Sequence, residues 1–247
     1  DGSAKMPGVT VRVGNVALPS GSYDVAYPSG ATDAGSYEVT VALKGNYTGS
    51  GSATFAIAPA TITSIDPIAD VVFAGSPARP QLTVRAGGLV LDAGDYDATY
   101  ENNTAVGTDA TVTVAGRGNY SGEVSKAFTI ERAQLVDSMV TLAVPEGGYA
   151  YDGNAKEPSV TVALADGTTV APQEYLVSYP EDTTSAGDHV VTVTAADGGN
   201  FCGEVSKTFT IAPKAVTPTV VLSQGSFVYD GSAKMPGVTV RVGNVAL

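Results

Sequence analysis

The chain has 247 residues, a formal net charge of −12, 29 Gly, 14 Pro, one Cys, one His and no Trp. An acidic surface repels phosphate backbones and anionic lipid, which argues against nucleic acid as a partner. The single cysteine excludes an intramolecular disulfide, and no apolar run is long enough for membrane insertion within this segment. Val and Thr suit pleated strands and Gly suits the turns between them, so the composition predicts an all-β fold.

In chain order, residues 1–18 read DGSAKMPGVTVRVGNVAL. A Gly2/Pro7 turn leads into a strand in which Val9, Val11 and Val13 face one way, Thr10 and Arg12 the other. Next comes a Tyr-x-x-x-Tyr segment, Tyr23/Tyr27, whose two rings lie on one side of a strand. Gly35 opens a second alternating strand through Val39, Val41 and Leu43. The turn GNYTG (45–49) follows, and the strand ending in Phe55-Ala56-Ile57 closes the set. The same signs recur twice: Gly75/Pro80, Tyr96/Tyr100, Gly107, GNYSG (118–122) and Phe128-Thr129-Ile130; then Gly153/Pro158, Tyr175/Tyr179, Gly187, GNFCG (199–203) and Phe209-Thr210-Ile211. Gly231/Pro236 begins a fourth set, in which residues 230–247 repeat 1–18 without change.

This spacing divides the chain into four segments. Residues 1–59 form a β-sandwich repeat lacking its first strand. Residues 60–132 and 133–213 are further repeats, and 214–247 hold the opening strands of a fourth. Residues 214–229 have no counterpart before Asp1. The expected architecture is a tandem array of small immunoglobulin-like β-sandwich domains. Short Pro-containing junctions, Ala58-Pro59-Ala60 and Ala212-Pro213-Lys214, favour an extended rod.

The set Tyr-Asp-Gly-x-Ala-Lys-x-Pro, Val-Thr-Val, Tyr-x-Val-x-Tyr, Ala-Gly, Gly-Asn-Tyr-(Thr/Ser)-Gly and Phe-x-Ile resembles the MBG/YDG-type immunoglobulin-like repeat of bacterial surface proteins. The resemblance covers the whole chain. It implies an extracellular protein on a bacterial cell surface or secreted from it, with repeats serving as stalk or adhesin modules. It supplies no catalytic residues. The second repeat departs from the set, with Ala74-Gly75 in place of Asp-Gly and Arg79 in place of Lys.

No catalytic, cofactor-binding or metal-binding residues are expected, and the chain is read as a non-enzyme. His189 aligns with Tyr37 and Asp109, which reads as a solvated strand-edge residue. Cys202 aligns with Thr48 and Ser121 as a small turn residue. The acidic groups Asp92, Asp95, Asp97 and Glu101, and Glu181 with Asp182, match no calcium-loop pattern and read as a solvated face. The tyrosine pairs read as core. The Asn of each Gly-Asn-aromatic turn reads as backbone-shaping, because Asn tolerates the left-handed conformation. Five lysines at two recurring positions are candidates for isopeptide cross-links: Lys5, Lys156 and Lys234 at one, Lys126 and Lys207 at the other. Such a bond needs a buried Lys, an Asn or Asp, and a carboxyl to handle the proton.

The expected role is that of a structural spacer whose partners are neighbouring repeats of the same or another copy of the chain. One alternative is a head-to-tail fibre in which the duplicated ends complement each other by strand addition. Another is a module binding host glycan or matrix protein.

Overall fold

A computed structural model describes residues 2–246. Asp1 and Leu247, the ends of the duplicated segment, lie outside the described residues. The described residues contain strands and three single 3-10 turns, with no α-helix. The chain divides into two compact units, Asp1–Ala133 and Gln134–Leu247.

In the first unit, residues 60–132 build two sheets. A four-stranded sheet runs in the order Tyr96–Glu101, Gly107–Gly116, Glu123–Glu131, Val71–Val72; its last pair is parallel and the others antiparallel. A three-stranded sheet pairs Ser64–Ile65 with Val84–Ala86 and that strand with Leu89–Val90. Ile65 and Val84 of the small sheet pack in one core with Ala110, Val112, Val114, Phe128 and Ile130 of the large one. Period-two alternation produces this arrangement, because each strand sends every second side chain between the sheets. The Val84–Ala86/Leu89–Val90 hairpin turns on Gly87, whose φ of 63° suits the tight two-residue loop.

Residues 2–59 repeat part of this plan. Tyr23–Ala26, Gly35–Leu43 and Ser50–Ile57 form an antiparallel sheet. Arg12–Val13 and Val16–Ala17 form the hairpin equivalent to Val84–Ala86/Leu89–Val90. Four strands of the second repeat have no counterpart among the described residues here: Ala60–Thr61, Ser64–Ile65 beside the hairpin, Val71–Val72 at the edge of the larger sheet, and Tyr120–Ser121.

The two repeats of this unit meet at a short junction. Ala60–Thr61 pairs in parallel with Tyr120–Ser121, so the connecting segment is itself a strand of the second repeat. Asn119 bonds back to the first: its Nδ2–H donates to Asp33 Oδ1 at 2.9 Å, and its Oδ1 accepts from Ala34 N–H at 2.6 Å.

In the second unit, Tyr149–Ala150, Glu204–Ala212, Gly187–Ala195 and Tyr175–Ser178 form a four-stranded sheet in that order. Tyr149–Ala150 again lies parallel to its neighbour. Val140–Ala143 pairs antiparallel with Ser159–Val162. Val191, Phe209 and Ile211 are buried together, with Leu142, Tyr149, Val160 and Tyr179 packed against them. The last segment forms only a three-stranded sheet, Thr219–Leu222, Val238–Val242 and Val245–Ala246 in that order. Every residue of Thr219–Leu222 is exposed.

Candidate functional site

The cross-link candidates sit beside acids and hydroxyls rather than amides. Lys156 Nζ donates to both carboxylate oxygens of Asp152 at 2.7 Å, and the Asn154 backbone N–H donates to the same group at 2.9 Å. The Lys156 ammonium and the Asn154 N–H hold the Asp152 carboxyl at about 2, well below its ordinary value. Lys234 pairs with Asp230 in the same way, and that carboxyl is likewise lowered to about 2 by Lys234 and Ser232. Lys5 Nζ donates to Ser3 Oγ at 3.0 Å. Lys207 pairs with Asp137 at 2.7 Å, and Lys126 adds to the positive field that lowers Asp66. Amide formation requires a neutral carboxyl as electrophile, and a Lys that keeps Asp152 or Asp230 ionised works against that step. The geometry at these two positions is that of an ion pair clipping a turn.

His189 is buried at 8% exposure, which corrects its reading as a solvated edge residue. Its ring stacks on Phe209 with centroids 5.3 Å apart, and Nε2–H donates to the Ser185 carbonyl at 2.8 Å. Tyr37 makes the same pair of contacts in the first repeat, stacked on Phe55 at 5.6 Å with its hydroxyl donating to the Asp33 carbonyl. His189 is therefore a ring that fills a tyrosine's place.

The left-handed positions of the Gly-Asn-aromatic turns belong to glycine, not to Asn. Gly49, Gly122 and Gly203, which close the three turns, have φ of 123°, 86° and 83°, and Asn102 is the one non-Gly residue with positive φ among those described. The turn asparagines work through their side chains instead, Asn119 at the junction above and Asn200 by donating from backbone N–H and Nδ2 to Glu174. Cys202 is half-buried, with Sγ–H donating to Gln134 Oε1 at 3.4 Å. Tyr100 meets Phe128 edge-on and lies under Arg79. The Tyr27 and Tyr179 hydroxyls each donate to a carbonyl at 2.6 Å, of Pro7 and Pro158, tying the opening turn to the sheet.

Three of the acidic groups bond locally. Asp97 pairs with Arg117, Asp95 accepts the Asp92 N–H, and Asp182 accepts from Thr184 and Ser185, which lowers it strongly. Among the described residues, no group of three or more His, Cys, Asp or Glu is placed to hold a metal ion. No helix among them is long and apolar enough to cross a membrane.

What the structure does bring together is an open apolar edge on the first repeat. In the second and third repeats, Val84 and Val162 are wholly buried under Ile65 and Val140 of the flanking strand. Val11 occupies the same hairpin position, since Leu18 N–H donates to its carbonyl as Leu91 and Val170 do to Val84 and Val162. Val11 remains partly exposed, and no strand covers it among the described residues. A groove of about 320 Å³ runs there, walled by Val9, Val11, Val39, Val41, Leu43 and Ala53. A second, of about 450 Å³, is lined by Met6, Pro7, Phe55 and Ile57, where the other repeats place their parallel edge strand. Sequence reasoning did not find the parallel edge strands of the other repeats, whose two-residue pairing leaves almost no periodic signal.

Residues 1–61 match the family model of the MBG domain. No curated protein matches the chain.

Proposed function

We propose that this chain is a non-catalytic spacer, part of the stalk of a bacterial extracellular surface protein, in which successive sandwiches set the distance between an anchor and a terminal module. The match of residues 1–61 to the MBG domain supports a surface-protein repeat module. The observation that carries the reading is the junction between the first two repeats. Its linker is consumed as a strand against Tyr120–Ser121, and Asn119 bonds across it to Asp33 and Ala34. Only Ala58 and Pro59 lie between the strands on either side, and so short a joint transmits orientation from one repeat to the next, which a length-setting element requires. The acidic surface keeps neighbouring stalks apart.

Small-angle X-ray scattering at the lowest usable concentration tests this. A spacer gives a maximum dimension well above that of a sphere of the same mass, and Asn119→Ala broadens the distance distribution by loosening one joint. A compact particle, or one whose dimensions spread like a random chain, would overturn it.

A further inference from the structure

We propose that the second repeat binds a carboxylate carried on a short hydrocarbon stem, in a pocket that the third repeat occupies with an ion pair of its own.

The pocket lies between the opening turn of the repeat and the loop before Gly107. It has a volume of about 210 Å³, and Val71, Phe73 and Ile130 contribute its apolar wall. Two alanines open it. The N–H groups of Lys5, Lys156 and Ala78 donate to the carbonyls of Ala31, Thr183 and Asn103, each four residues before the glycine that starts the next strand. Ala78, rather than Arg79, therefore stands in the lysine's place. Ala74 precedes Pro80 by the same interval as Asp152 precedes Pro158, so it stands in the place of the acid that pairs with Lys156. The last segment carries the same pair, Lys234 with Asp230. Where those copies hold an ammonium against a carboxylate, the second repeat has two methyl groups, and both Ala74 and Ala78 line the pocket.

The polar lining is made of donors. Arg79, Ser76, Asn103 and Thr104 border the pocket, and no Asp or Glu is among the described residues that line it. The position of Arg79 is Met6, Glu157 and Met235 in the other copies, so the basic group belongs to this repeat alone. Its guanidinium lies over the Tyr100 ring, 5.4 Å from the centroid. Stacking engages the flat face and leaves the N–H edge to donate, and Arg79 forms no ion pair among the described residues. Asn103 Nδ2 gives one N–H to the Ala78 carbonyl at 2.8 Å and carries a second. A guanidinium edge, an amide N–H and two hydroxyls recognise an anion. The apolar wall selects among anions, because phosphate would leave Val71 and Phe73 uncovered, whereas a carboxylate with a hydrocarbon stem buries them. A free short-chain acid and a glutamate side chain on a partner both present this group.

The test is an amide-detected NMR titration of the full chain in about 0.15 M salt, which screens the long-range repulsion of an acidic protein. The probes are butyrate, butyramide, inorganic phosphate and a capped glutamate whose only charge is its side chain. Carboxylate binding is expected to give saturable shifts confined to the amides of Ala74, Ser76, Ala78, Asn103 and Thr104. Butyramide, which keeps the stem and loses the charge, and phosphate, which lacks the stem, should bind at least about tenfold more weakly. Arg79→Gln, at an exposed position, should weaken butyrate by a similar factor with the rest of the spectrum unchanged. Ala74→Asp with Ala78→Lys restores the ion pair of the third repeat and should abolish the shifts. Capped glutamate binding more tightly than butyrate assigns the site to an acidic side chain of a partner, and the reverse order assigns it to a free acid. No saturable shift with either carboxylate, equal shifts with butyrate and butyramide, phosphate binding as tightly as butyrate, or binding that survives either set of substitutions would overturn the proposal.

Discussion

Val84 and Val11 hold the same place in two repeats, and the contrast between them isolates what the flanking strand contributes. Removing two methyl groups from the wholly buried Val84 leaves a cavity under Ile65, and Val84→Ala should cost about 2–3 kcal/mol. Val11→Ala, at an open groove that solvent already enters, should cost less than about 1 kcal/mol. Calorimetric unfolding of the two variants measures the difference. The ion-paired turns make a second prediction. Asp152 has a folded value of about 2 against an ordinary carboxyl near 4, so its contribution is complete above about pH 4 and is lost as pH falls toward 2. Carboxyl-detected NMR titration should find its midpoint near 2, and Lys156→Ala should move it part of the way back, because the Asn154 N–H still donates. Two residues defied sequence reading at this scale. His189 shares its alignment column with Asp109, which obscured that Tyr37 and His189 both offer a flat ring for the Phe beside them. Sequence reading credits Asn with the left-handed turn because Asn tolerates it, yet the Gly three residues on adopts it at lower cost.

Strands were legible wherever alternation ran for several residues, though not which strand pairs with which. Gly35–Leu43, Gly107–Gly116 and Gly187–Ala195 all follow the Val-x-Val pattern that marks them, whereas the Arg12–Val13/Val16–Ala17 hairpin stands where sequence reading saw a single strand through Val9, Val11 and Val13. The parallel edge strands were not legible, because Val71–Val72 and Tyr149–Ala150 are two residues each and their position is set by the neighbouring strand rather than by a local pattern. The closing glycine of the Gly-Asn-aromatic turn links these elements. A methyl group on Gly122 would meet Thr61 Cγ2 at 3.0 Å, whereas one on Gly49 meets nothing within 4 Å. Gly49→Ala should therefore cost only the left-handed strain, about 1–2 kcal/mol, and Gly122→Ala more, because the Ala60–Thr61 strand must also shift. Denaturant unfolding of the two variants checks the ordering, and equal costs would show that the covering strand yields freely.

At the scale of the whole molecule, internal repetition was the most readable feature, since identity between residues 1–18 and 230–247 needs no structural knowledge to detect. What each repeat does with its first residues was not readable, and it bears on how such a repeat responds to tension. In the second repeat the chain arrives through Ala60–Thr61 and Val71–Val72, both parallel to later strands, and departs along Glu123–Glu131, the neighbour of Val71–Val72. The third repeat has the same arrangement in Tyr149–Ala150 and Glu204–Ala212. Tension applied at the two ends of such a repeat pulls adjacent parallel strands in opposite directions along their length. The hydrogen bonds between them are then loaded together, in shear, instead of being peeled open one at a time. A few residues of parallel pairing thus act as a force clamp, and unfolding under tension begins only when the whole clamp slips.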